Sequence, residues 1–306
     1  MFAIVMGLTG LTIAFHRFSE MGAISPIFFE TNLAIVSALF LFFSVTYLRK
    51  AIRYPDEVRA DFNHRIRVNF FSAFSISFML LSIAYLPLFP EVSKVLWWIG
   101  VSVHTFLMLN TISFWIQHNF EMQTMNPAWF IPVVGNIIVP VAGVEFMPVS
   151  FNFFYFSVGS FFWLVLFTIF LNRAIFHHQM PQKFMPTLFI LIAPPAVGFI
   201  AWFRITQSFD MFAQFLLMMT YFFLALLLFL RKNFYKLPFY LSWWAFTFPL
   251  TAATLASVLA FHQTHHIFYQ IMAFILMVIS IMVIALVTWK TIQKIREGEI
   301  CINEDK

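Results

Sequence analysis

Long apolar runs alternate with short polar stretches along the whole chain. Each run is close to the roughly 20 residues that a helix needs to cross the hydrocarbon core of a bilayer. Apolar residues are continuous within a run and do not alternate with polar ones, which excludes a transmembrane β-barrel. The pattern predicts ten membrane-spanning helices, numbered in chain order: 1–18, 27–51, 66–88, 92–118, 128–145, 150–176, 184–204, 209–231, 237–260 and 267–294.

The composition agrees with a membrane location. Hydrophobic residues make up 61% of the chain and charged residues 10%, whereas soluble proteins are about a quarter charged. We expect a single transmembrane domain over 1–296 and a short cytoplasmic tail over 297–306. Because a backbone in lipid must satisfy its hydrogen bonds within each segment, the predicted class is an all-α integral membrane protein.

Basic residues are concentrated on one side of the predicted membrane. Of the 18 lysines and arginines, only Arg17, Lys94 and Arg204 fall on the other side. The positive-inside rule explains this asymmetry if both termini are cytoplasmic. We therefore expect a multi-pass protein of the inner (plasma) membrane, whose partner is the lipid bilayer. The same asymmetry accounts for the formal charge of +5, so we expect no nucleic-acid partner.

Prolines recur in predicted helices 5, 7 and 9 at a nearly constant spacing, whereas helix 3 has only Pro87 near its end and helix 1 has none. Pro140, Pro195 and Pro249 are separated by 55 and 54 residues, and Pro194 directly precedes Pro195. Such a spacing indicates a repeated helical hairpin. Each proline frees a carbonyl group, which must face protein or water rather than lipid. We therefore predict five helical hairpins around a central pore, with the odd helices inside and the even helices outside.

Ionisable groups are scarce in the predicted membrane interior. The 13 carboxylates lie in loops or near helix ends, whereas coupled carriers and membrane enzymes need such groups at mid-span. His104 is the exception, and we expect it to be neutral and bonded to a neighbouring helix rather than a proton relay or an anion ligand. The histidines at helix ends lack co-ligands at a zinc-site spacing. The sequence thus predicts no enzyme, no metal site and no cofactor.

Candidates for lining the pore are small or neutral residues of the odd helices: Gly7, Gly10, Ser75, Asn136, Pro140, Pro194 and Pro249. Hydroxyl, amide and backbone donors bind an anion weakly enough to release it, although such residues also serve helix packing.

Two aromatic residues, Phe246 and Phe248, come shortly before Pro249 in predicted helix 9. Two residues on a helix differ by about 200° in direction, so at most one of these rings can face a pore. A ring there would close a narrow pore by filling it and excluding water. Packing in the core is the more common role of a phenylalanine, so the sequence pattern leaves both roles open.

Three stretches of the chain resemble a known family: 2–8 (FAIVMGL), 126–135 (NPAWFIPVVG) and 243–249 (WWAFTFP). At these motifs, and along essentially its whole length, the chain resembles bacterial TehA proteins of the tellurite-resistance/dicarboxylate transporter family, which includes the plant slow anion channels. The resemblance implies a homotrimer in which each protomer has its own pore, lined by five inner helices and closed by a phenylalanine of helix 9. By motif position that plug is Phe248, with Phe246 as the alternative. Ala3 and Val5 depart from the glycine and proline that are common there.

Together, these features predict a passive, gated channel for small inorganic anions such as chloride and nitrate. The alternative is a carrier or exporter of C4-dicarboxylate, sulfite or tellurite-related oxyanions. A divalent substrate would need a basic residue in its path, and saturable exchange would favour this reading. A membrane enzyme or metal protein that uses the histidines is a third hypothesis, which tight zinc or copper binding would favour.

Overall fold

Helices joined by short connections make up the computed structural model, which describes residues 1–299 and has no β-strand in that range. Residues 300–306 of the predicted tail lie outside the described residues. The ten long segments are α1 (Phe2–Glu20), α2 (Pro26–Arg53), α3 (Arg67–Tyr85), α4 (Pro90–Gln117), α5 (Pro127–Gly143), α6 (Val149–Phe176), α7 (Gln182–Thr206), α8 (Met211–Asn233), α9 (Leu241–Thr264) and α10 (Ile267–Arg296). A short helix, Pro55–Phe62, lies between α2 and α3.

Within the described range, nine of these segments are long and apolar enough to cross a membrane. The tenth, α5, is shorter but apolar, and it includes two stretches of 3₁₀ helix. A 3₁₀ helix rises about 2.0 Å per residue, whereas an α-helix rises about 1.5 Å. For this reason α5 is longer than an α-helix with the same number of residues. The predicted class, an all-α integral membrane protein, is confirmed.

Burial separates the odd-numbered helices from the even-numbered ones. In the most apolar windows of α1, α3, α7 and α9, 50% to 72% of the residues are buried, against 22% to 39% in the even-numbered helices. All residues of α5 are buried except Ile131 and Val141, which are partly buried. The even-numbered helices instead expose large apolar side chains, among them Phe106 and Phe161. The odd helices are thus inside and the even helices outside, as predicted.

The five inner helices form a closed ring. α1 packs against both α3 and α9, α5 packs against α3 and α7, and α7 packs against α9. Each even-numbered helix packs against the odd-numbered helix that precedes it. The repeated helical hairpin is therefore the building unit of the fold, and the ring surrounds a central axis.

One large buried cluster joins α3 to α10, and two smaller clusters attach α1 to its neighbours. The first of these packs α1 against α2 and α3 through residues such as Val5, Phe29 and Leu81. The second packs α1 against α9 and α10 through residues such as Phe18, Val258 and Met277. These contacts fix α1 between both ends of the series of helices and so close the ring.

Several inner helices change from 3₁₀ to α geometry part-way along. In α5, α7 and α9 an α portion follows directly on a 3₁₀ portion. Pro140, Pro194 and Pro249 each lie within the first three residues of the α portion. N–H groups in the first turn have no partner inside the helix, so a proline costs little there. The repeated prolines therefore mark a repeated change of helix type.

Candidate functional site

Phe248 is the second residue of the α portion of α9, at the change of helix type. Its ring is only partly buried, whereas the adjacent Thr247 and Pro249 are buried. The ring approaches α1, because a Cβ atom added to Gly10 would lie 3.4 Å from its Cδ2 atom. Phe248 thus lies against α1 and remains partly exposed.

Phe246 has different neighbours. Its ring centroid lies 4.6 Å from that of Phe189 in α7, 5.7 Å from Trp243 and 6.0 Å from Phe234. All three pairs have the edge-to-face geometry that aromatic rings favour. We call these four residues the aromatic cluster. Phe246 therefore packs within the aromatic cluster, whereas Phe248 packs against the large buried cluster, and both residues are partly buried.

Gly7 and Gly10 lie where α1 meets α9. A Cβ atom added to Gly7 would overlap the side chain of Thr247, and one added to Gly10 would overlap that of Thr251. Each threonine donates its hydroxyl to a carbonyl of its own helix, at 2.7 Å and 2.9 Å. The two glycines therefore allow the backbones of α1 and α9 to approach closely, as small residues do between membrane helices.

Ser75 joins α3 to α4 through His104. Its hydroxyl donates to the carbonyl of Ser72 at 2.9 Å and lies 2.9 Å from Nδ1 of His104. Ser75 has one hydroxyl proton, which it donates to the carbonyl of Ser72. Its oxygen must therefore accept a hydrogen bond from His104, so Nδ1 carries the proton of the imidazole. Nε2 is buried without a partner in residues 1–299, and a Cβ atom added to Gly135 would lie 3.0 Å from it. The predicted bond of His104 to a neighbouring helix is confirmed.

Asn136 lies on the side of α5 that faces α4. Its amide donates to the carbonyl of Val133 at 2.7 Å and contacts the sulfur of Met108 at 3.0 Å. Its Oδ1 atom is buried without a partner in the described part of the chain, and the same holds for both side-chain polar atoms of Asn69 and for the hydroxyl of Ser72. Buried polar atoms of this kind are the usual partners of internal water. Asn69 was not among the site residues that the sequence predicted, although its side chain is polar.

Pro140, Pro194 and Pro249 are buried in three different inner helices.

Charged residues of the inner helices lie near helix ends within the described range: Arg17, Glu20, Arg67, Lys183 and Arg204. Arg204, for example, donates to Glu145 at 2.6 Å and to the carbonyl of Val141 at 3.0 Å. The middle of the ring is therefore uncharged, as the sequence predicted.

Arg173 is the one lysine, arginine, aspartate or glutamate that is buried within residues 1–299, with 3% of its surface exposed. It lies near the end of α6, and its Nε donor has no partner among the described residues. Its place near the end of a helix suggested an exposed side chain, and nothing in the sequence signalled its burial. Within the same residues, no group of three or more histidines, cysteines or carboxylates is close enough to hold a metal ion.

These features define a multi-pass membrane protein, in which a closed inner ring with an uncharged middle is surrounded by outer helices with apolar faces. The family model described as SLAC1, voltage-dependent anion channel, matches residues 1–292. The chain therefore belongs to the SLAC1 family. The family is described as one of voltage-dependent anion channels.

Relatives from plants, bacteria and archaea share this similarity. The S-type anion channel SLAH3 of Arabidopsis thaliana is 30% identical over 85% of this chain and 41% of its own length. The tellurite resistance protein TehA homolog of Haemophilus influenzae is 25% identical over 97% of this chain and 90% of its own length. An uncharacterized transporter of Methanocaldococcus jannaschii is 27% identical over 98% of this chain and 95% of its own length. The chain spans about two fifths of SLAH3 and of SLAH2. The predicted resemblance is confirmed.

Proposed function

We propose that the protein is a passive, gated channel for small monovalent anions such as chloride and nitrate. The observation that supports this proposal is the closed inner ring with an uncharged middle, in which Phe248 is partly buried and approaches α1 at a change of helix type. An anion passes such a path by exchanging part of its hydration for backbone and hydroxyl dipoles, which hold it weakly.

Phe248 is the proposed gate. Its ring is large enough to fill a narrow path, and an apolar ring there also excludes water. Phe246 is the alternative, but the aromatic cluster holds it on several sides and leaves it little freedom to swing. An open state therefore requires movement of the Phe248 ring.

Seven further residues of the inner ring shape the proposed path: Gly7, Gly10, Ser75, Asn136, Pro140, Pro194 and Pro249. The glycines bring α1 against α9, and the prolines set where the helices change type. Ser75 and Asn136 supply polar groups at the junction with α4.

The proposed assembly is a homotrimer in the inner (plasma) membrane, with both termini cytoplasmic, a single transmembrane domain over 1–296 and a short tail over 297–306. The connections after the even-numbered helices hold most of the basic residues, which supports this orientation. Large apolar side chains exposed on the outer helices are suited to contact with lipid or with neighbouring protomers.

A carrier or exporter of oxyanions, including C4-dicarboxylate, sulfite or tellurite-related species, is the second candidate. Arg173 favours it, because a buried guanidinium with an unpartnered donor is suited to binding an oxyanion. One relative is also named for tellurite resistance.

Efflux of chloride and of nitrate from liposomes tests the channel, with wild type, Phe248→Ala and Phe246→Ala compared at equal protein content. We expect slow efflux from wild type and Phe246→Ala, and efflux about tenfold or more faster from Phe248→Ala, because the hydrophobic constriction is gone. Equal rates for Phe248→Ala and wild type would remove Phe248 as the gate. Saturable exchange of sulfite or a dicarboxylate, without anion leak in any variant, would replace the channel by the carrier.

A further inference from the structure

A surface cavity of about 470 Å³ lies where the end of α8 and the α8–α9 connection meet the start of α7. The residues that line it are Gln182, Lys232, Asn233, Tyr235, Lys236 and Leu237. The connections after α6 and after α8 both belong to the side of the membrane with most of the basic residues, which we call the basic face. The channel proposed above makes no use of this cavity.

The chemistry of the lining suits a phosphate group. Two lysines and two side-chain amides offer hydrogen-bond donors, and no carboxylate lines the cavity. Within residues 1–299, the side chains of Lys232 and Lys236 form neither an ion pair nor a hydrogen bond. Ammonium groups held apart from any acid bind phosphate oxygens through charge-assisted hydrogen bonds.

The cavity lies next to an exposed apolar surface. Leu228 and Phe229, in the last turns before Lys232, expose 65% and 84% of their surface, and Tyr235 on the connection exposes 84%. Apolar side chains directly below basic ones are typical of the interface where a helix end meets phospholipid headgroups. A phosphate in the cavity could thus belong to a lipid whose acyl chains lie along α8.

The connection that forms the cavity also leads into α9. Phe234 lies between Lys232 and Lys236, and its ring centroid is 5.4 Å from that of Phe189 in α7 and 6.0 Å from that of Phe246 in α9. The hydroxyl of Ser242, at the start of α9, donates to the carbonyl of Lys183 at 2.6 Å. A ligand in the cavity would therefore restrain the same segment that positions the first turns of α9.

We propose that this cavity binds a phosphate group, either of an anionic phospholipid headgroup or of a soluble phosphate, and that binding stabilises the α8–α9 connection against α7. The proposal does not depend on conduction, because the restraint is a property of the segment 232–246.

Amide hydrogen exchange of the segment 232–246 tests it, with the full chain in nanodiscs. The conditions are phosphatidylcholine alone, phosphatidylcholine with added phosphatidylglycerol, and phosphatidylcholine with inorganic phosphate in the buffer. The test variant combines Lys232→Gln and Lys236→Gln. The control combines Arg49→Gln and Arg53→Gln, which removes the same charge from exposed sites on the basic face outside the cavity.

We expect phosphatidylglycerol to slow exchange of this segment about threefold or more in wild type and in the control, and to leave the test variant unchanged, because each lysine contributes strongly to anionic-headgroup binding. Slowing by inorganic phosphate alone would assign the site to a soluble phosphate. Equal loss of slowing in the test variant and the control would overturn the proposal in favour of general membrane charge. No slowing of wild type under any condition would overturn it as well.

Discussion

A Cβ atom added to Gly10 would lie 3.4 Å from Cδ2 of Phe248, so α1 sets one wall of the space around the candidate gate. The same added atom would overlap Thr251, one turn further along α9. Since Thr251 is bonded to the carbonyl of Phe248 itself at 2.9 Å, this contact leaves little room for adjustment. The separation of α1 from α9 and the position of the Phe248 ring are therefore linked.

The first prediction concerns this contact. Gly10→Ala should lower the free energy of unfolding by about 1–3 kcal/mol, because an added methyl group forces packed helices apart. Gly198→Ala is the control, since its added Cβ would meet its nearest neighbour, Leu216, at 3.6 Å, an ordinary contact distance. Thermal unfolding in detergent micelles measures both, and a Gly10→Ala protein as stable as the control would contradict the close approach of α1 to α9.

The second prediction concerns Ser75. Replacement by alanine leaves the buried Nδ1 donor of His104 without an acceptor, which should cost about 1–3 kcal/mol of stability. Ser102→Ala, at an exposed position of α4, should change the stability by less than about 0.5 kcal/mol. Chemical unfolding of the two variants and wild type under one condition gives the comparison. Equal stability of Ser75→Ala and Ser102→Ala would mean that the bond between α3 and α4 contributes nothing.

The third prediction is a pH dependence at the α2–α3 connection. The carboxylate of Asp61 accepts from Lys50 at 2.7 Å and from Arg67 at 2.8 Å. Burial raises the pKa of Asp61, but the bonds from Lys50 and Arg67 outweigh it, so its pKa lies below the usual value. The bridge therefore stabilises the fold at pH values above the ordinary aspartate pKa of about 4, and the stability is lost as the pH falls through the lowered pKa.

The melting temperature measured from pH 6 downward tests this. Asp61→Asn should be less stable than wild type at pH 6, and the difference should shrink below about pH 4, where the wild-type carboxylate becomes protonated. Asp56→Asn, in the same short helix but exposed, should follow wild type throughout. A constant difference between Asp61→Asn and wild type would show that the carboxylate charge is not the source.

The fourth prediction concerns anion selectivity. With no charged side chain in the middle of the inner ring, the cost of dehydration decides which anion passes. In liposomes that contain Phe248→Ala, nitrate should therefore permeate at least as well as chloride, and both should exceed fluoride. Reversal potentials under paired gradients measure the order, and a clear preference for the strongly hydrated fluoride would argue for specific coordination instead.

The helices and their inner or outer location could be predicted because each depends on a long-range pattern. Predicted helix 5 covered 128–145, and the structure has Pro127–Gly143. The spacing of Pro140, Pro195 and Pro249 indicated three of the five inner helices, since a freed carbonyl cannot face lipid, and the alternation of the hairpins extended the assignment to α1 and α3. In α5, α7 and α9, however, a 3₁₀ portion precedes the α portion that holds these prolines, which hydropathy cannot reveal.

The contacts of the site residues were harder to predict. An inner helix is buried on most of its sides, so hydropathy does not tell which face meets a given neighbour. For this reason the sequence could place Gly7 and Gly10 in the inner set but not against Thr247 and Thr251. The burial of Arg173 was not predicted, because charged residues near a helix end usually lie at the membrane surface.

The long 3₁₀ portion of α7, Gln182–Ile192, makes this inner helix longer than an α-helix of the same number of residues would be. Each residue that passes from 3₁₀ to α geometry shortens a helix by about 0.5 Å and turns what lies beyond it by about 20°. The boundary in α9 lies immediately before Thr247, so its migration by one residue would act on Phe248 as a small screw motion. The proposed Phe248 gate would then open by a shift of helix register rather than by rotation of the ring alone.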